Sequence, residues 1–64
     1  MPSRETLTRK QAKFVGEYVR TGNATQSAIT AGYKAPSARS VGSENLTKPN
    51  IAAAVEALSA KLVA

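Results

Sequence analysis

The side chains able to do chemistry in this sequence are cations, hydroxyls and amides. Nine Lys and Arg stand against four carboxylates, with no histidine and no cysteine, for a net charge of +5. The carboxylates Glu5, Glu17, Glu44 and Glu56 are not paired within one helical turn, no glycine-rich Lys-Ser/Thr phosphate loop is present, and no imidazole is available as a base. No catalytic, metal or cofactor site is expected, and the chain reads as a non-enzyme. What remains is the chemistry of holding a polyanion: Arg9, Lys13, Arg20, Lys34 and Arg39 for phosphates or guanine edges, and Thr25, Gln26, Ser37, Ser40 and Ser43 for shorter hydrogen bonds.

Those residues need rigid elements to position them, and the apolar periodicity supplies four short helices. Thr8-Arg9-Lys10-Gln11 fits a capping box opening a first helix that Gly22 ends. At 100° per residue its Ala12, Phe14, Val15, Tyr18 and Val19 share an inward arc, while Arg9, Lys10, Lys13, Glu17 and Arg20 share a wet one. Asn23 caps a second helix, with Gln26 at the capping-box position, small inward residues Ala24, Ala28 and Ala31, and a stop at Gly32. Pro36 opens a third at its first helical position, leaving Ala35 as a poor cap. Here Ala38, Val41, Asn45 and Leu46 face inward, Ser37, Ser40, Ser43 and Glu44 outward, and Arg39 lies on the flank. Gly42 lowers helix propensity by about 1 kcal/mol relative to alanine, which points to a tight contact or a bend. Pro49 opens a fourth helix with Ile51, Val55, Leu58 and Leu62 on one seam and Ala53, Ala57 and Ala60 on the far side. The fold class is all-α, a small bundle of about four helices.

The stretch from Ala24 to Leu46 has helix-turn-helix spacing. Two helices crossing steeply need a small residue at the crossing, met by Ala28, and a turn residue free to adopt positive φ, met by Gly32. An ordinary helical hairpin has the same preferences, and the positive charge favours the DNA-binding version. Residues 1–6 read as a flexible N-terminal arm before a single domain over 7–64.

Three strings carry a family resemblance: Leu7-Thr8-Arg9-Lys10-Gln11-Ala12-Lys13-Phe14-Val15, then Thr21-Gly22-Asn23-Ala24-Thr25-Gln26-Ser27-Ala28, then Ala31-Gly32-Tyr33. With Ala38-Arg39-Ser40 and Lys48-Pro49-Asn50-Ile51-Ala52-Ala53-Ala54, the sequence resembles the N-terminal domain of phage terminase small subunits. The resemblance implies a helix-turn-helix that recognises viral double-stranded DNA at the start of packaging and helps bring it to the large terminase subunit. It also implies that the full-length protein is a homo-oligomeric ring assembled through a later region, this chain being its DNA-binding part. The sequence departs from the family where Lys34-Ala35-Pro36 places the proline one position later than usual.

Each site residue also has a plainer reading. Arg9, Lys13 and Arg20 suit phosphate contacts or a solvated face; Thr25 and Gln26 suit a phosphate at a helix N-terminus or simple capping; Lys34 suits DNA backbone or a turn. Glu44 is read as repelling phosphates or pairing with a lysine ahead of accepting from cytosine, and Phe14 and Tyr33 as core. A helical protein-interaction adaptor and a general DNA-binding transcriptional regulator are the alternative functions. The sequons at Asn23 and Asn45 lie in a chain without a signal-peptide pattern or a membrane-length apolar run, so the expected compartment is the host cytoplasm and no membrane partner is expected.

Overall fold

The structure, a computed structural model, describes residues 7–63, with side chains as far as Lys61. The arm expected over residues 1–6 and the side chain of Leu62 lie outside the described residues. Four helices follow in order: α1 (Arg9–Thr21), α2 (Ala24–Ala31), α3 (Ala35–Thr47) and α4 (Pro49–Val63). The all-α reading holds.

Local chemistry sets the ends. Gln11 N–H donates to Thr8 Oγ1 and Thr8 N–H to Gln11 Oε1, both at 3.0 Å, so the capping box at α1 is complete. Gly22 closes α1 at φ 74°. Gln26 N–H donates to Asn23 Oδ1 at 2.9 Å, but the reciprocal half expected of Gln26 is replaced. Asn23 N–H donates to Thr21 Oγ1 at 3.2 Å, because only one residue separates Gly22 from α2 and the preceding helix is within reach. Lys48 both ends α3 and precedes α4, where Pro49 takes the first helical position as expected.

The core is formed by Phe14 and Val15 of α1, Ala28 and Ala31 of α2, Ala38 of α3 and Ile51 of α4. Tyr18, Val19, Leu46, Val55 and Leu58 pack around it half-buried. Phe14 and Tyr18, one turn apart, stack with ring centroids 6.0 Å apart. Ala12, placed on the inward arc by periodicity, is exposed at the edge of that arc. Half of the buried core is alanine, so the helices meet at short range and little bulky side chain is needed to fill the interior. Helix α1 packs on α2 and α4, and α3 packs on the same two, so α2 and α4 brace α3 from behind.

Candidate nucleic-acid interface

The geometry that aims α3 begins at its junction with α2. Ala28 and Ala38 are both fully buried, one on each helix. Between the helices Gly32 stands at φ 109°, its N–H donating to Ile29 O, while Tyr33 N–H reaches back to Ala28 O, each at 3.0 Å. This pair of bonds is the Schellman arrangement, satisfying carbonyls that the end of α2 would otherwise leave open. Gly32 is therefore required for its backbone conformation. It is not required for space: a Cβ there meets only Lys10 Cε at 3.6 Å, an ordinary contact.

Crowding occurs at Gly42. A Cβ built on it would lie 2.7 Å from the Ala24 carbonyl oxygen and 2.9 Å from its carbon. The first turn of α2 thus rests directly on the backbone of α3, and the low-propensity glycine inside α3 is explained by that contact. Asn45, three residues on and on the same inward side, is buried at 2% exposure, and its Nδ2 has no hydrogen-bond partner among the described residues.

The opposite side of α3 is polar throughout. Arg39, Ser40, Ser43, Glu44 and Thr47 are all exposed and line one shallow concavity, with Ser37 also exposed one turn earlier. Three of the expected site residues, Arg39, Ser40 and Ser43, are brought together there. Its start differs by one residue from the sequence reading: α3 begins at Ala35, Pro36 is at the second helical position, and Lys34 is the cap. The second position tolerates proline for the same reason as the first, since its N–H has no intrahelical acceptor. Lys34 makes no side-chain capping bond, and it puts a cation at the end of the helix where the dipole disfavours one.

On α1, Arg9, Lys13 and Arg20 are exposed and share one side, as periodicity requires. Arg20 is engaged, its Nη2 lying 2.6 Å from Glu17 Oε1. This is the one ion pair among the described residues, so Arg9 and Lys13 remain unneutralised. Thr25 and Gln26 are exposed on the first turn of α2, beside amides that a helix N-terminus leaves open. Sequence reasoning missed the role of Lys10, whose Nζ lies 5.1 Å from the centroid of the Tyr33 ring. It ties α1 to the α2–α3 turn by a cation–π contact, which helical periodicity within α1 could not reveal because Tyr33 lies on another element.

The sequence model of the terminase small subunit family matches residues 7–64. The terminase small subunits of Bacillus phage SF6 and Bacillus phage rho15 are each 48% identical over 52 residues, covering 80% of this chain and 36% of theirs. That of Bacillus phage SPP1 is 46% identical over 50 residues, covering 77% and 34%. The chain belongs to the terminase small subunit family. It spans little more than a third of the length of these relatives. No solved structure matches it at a significant level. The matched region contains all four helices and every candidate residue from Arg9 to Ser43, so in this terminase domain the polar face of α3 and the α1 stripe lie within the shared segment.

Proposed function

We propose that this domain is a non-catalytic DNA-binding module of a terminase small subunit, a helix-turn-helix in which α2 braces α3 and α3 enters the major groove. Arg39, Ser40, Ser43 and Ser37 face base edges; Lys34, Thr25, Gln26, Arg9 and Lys13 hold phosphates, and Arg20 joins them when it leaves Glu17. The DNA is viral, bound at the start of packaging in the host cytoplasm and presented to the large terminase subunit. Several such modules on a homo-oligomeric ring gain affinity together.

The observation that carries this reading is the composition of the α3 face. A protein-binding surface has an apolar or aromatic centre, whereas the residues of this concavity are all polar or charged, on a helix capped by a free cation. An adaptor would instead use the groove between α1 and α4, lined by Leu7, Ala12, Val15, Ala54, Ala57, Leu58 and Lys61. No helix among the described residues is long and apolar enough to cross a membrane.

The test is fluorescence anisotropy of the chain on labelled duplex DNA across a salt series. Affinity should fall linearly on a log–log plot, losing about 0.9 in slope for each phosphate contact removed. Replacing Arg9, Lys13 and Arg20 with alanine should flatten the slope by about 2 if Arg20 stays on Glu17 and by about 3 if it joins the phosphate contacts. No binding at low salt, or binding insensitive to salt, would favour the adaptor.

A further inference from the structure

We infer that Glu44 is a specificity-determining residue of the α3 face, one that selects a cytosine and rejects non-cognate duplex; the inference rests on the DNA-binding reading above. Glu44 lines the same concavity as Arg39, Ser40, Ser43 and Thr47, and is exposed. Its carboxylate has no ion-pair or hydrogen-bond partner among the described residues. The one bond the residue makes beyond its helix ladder is at its backbone, where Thr47 Oγ1 donates to its carbonyl oxygen at 2.7 Å. Lys48, one helical turn on, does not neutralise it, because the chain leaves the helix there: Lys48 has extended backbone at ψ 127°. The lysine pairing available to an exposed glutamate on a regular helix is therefore not made.

An unneutralised carboxylate on a surface that meets DNA is costly unless it finds a donor. Arg39 and Glu44 are five residues apart, so they sit about 140° apart around α3 and about 7.5 Å apart along it, on opposite edges of the serine face. In a major groove about 12 Å wide, one edge of the helix approaches each strand. The Arg39 edge is attracted to phosphate or to guanine. The Glu44 edge is repelled by phosphate and by the acceptor atoms of guanine and thymine; of the two amino donors in the groove, cytosine N4 belongs to a base with no groove acceptor of its own, whereas adenine N6 has N7 beside it on the same base. The face therefore carries an attractive and a repulsive element together, which is how discrimination is built when attractive contacts alone are few. The serines between them are too short to discriminate strongly.

The experiment is selection of bound sequences from a randomised duplex pool by the wild-type chain, Glu44→Gln and Glu44→Ala, with affinities for the selected and a random duplex measured alongside. Thermal melting by circular dichroism comes first; the exposed side chain should leave it unchanged. The wild type should select cytosine at one position, and both variants should lose that preference by roughly tenfold. Both should also bind random duplex severalfold more tightly, since a repulsive charge is gone. Variants that keep the wild-type selection profile, or that weaken on all sequences alike, would overturn the inference while leaving DNA binding standing. A wild-type chain that binds no duplex overturns both.

Discussion

Replacing Gly42 with alanine sets two effects of opposite sign against each other inside α3. Alanine raises helix propensity by about 1 kcal/mol. The new methyl would sit 2.7 Å from the Ala24 carbonyl oxygen and 2.9 Å from its carbon, backbone atoms that cannot rotate away. Restoring an ordinary separation of about 3.5 Å requires α2 to move by about 0.5–1 Å against α3. Overpacking of this kind costs about 1–3 kcal/mol, so the clash wins and the net effect is a loss of about 1 kcal/mol. Gly16 provides the control: it is exposed in the middle of α1, and a Cβ there meets nothing within 4 Å. Gly16→Ala should therefore stabilise by up to about 1 kcal/mol. At about 4–8 °C per kcal/mol for a domain of this size, the two variants should move Tm in opposite directions and end about 10 °C apart in thermal melts followed at 222 nm, the usual helix wavelength. If both glycines give the same upward shift, the close approach of α2 to α3 is wrong, and with it the bracing of the candidate reading helix.

Three further outcomes follow from the same geometry. Gly32→Val should lower stability by about 1–3 kcal/mol through backbone strain at φ 109°, measurable by urea denaturation, and wild-type stability would show that the turn does not need this conformation. Lys34→Ser should stabilise α3 by about 0.5–2 kcal/mol by supplying the missing cap while weakening duplex binding; higher Tm with undiminished affinity would remove Lys34 from the site. Arg39→Ala should leave the melt unchanged and cost about 1–3 kcal/mol of discrimination between preferred and random DNA, whereas a loss of helicity would make Arg39 structural.

Most of the fold was legible in the sequence because its signals are local. Thr8 with Gln11, Asn23, Gly22, Gly32 and Pro49 each act on the turn of chain in which they sit, and periodicity separates Phe14 and Val15 from Arg9 and Lys13 without knowledge of any partner. What was not legible depends on contacts between elements. Gly42 could be read only as a tight contact or a bend, and it is the placement of Ala24 that decides for the contact. The start of α3 moved by one residue because proline fits either of the first two helical positions equally well, and an inert cap such as Lys34 leaves no mark in the sequence. The expected site residues on α3 were recoverable as one face. Whether Arg20 is free or held by Glu17, and whether Glu44 is neutralised by Lys48, depends on rotamers and on where the helix ends.

The central claim is that α3 is the surface that meets DNA, and titration of the isotopically labelled chain with a short duplex, read by amide chemical shifts, tests it most directly. The largest changes should fall at Lys34, Ser37, Arg39, Ser40, Ser43 and Glu44, smaller ones at Arg9, Lys13, Thr25 and Gln26, and little at Ala54, Ala57 and Leu58 in the α1–α4 groove. Shifts concentrated in that groove, with α3 unmoved, would contradict it.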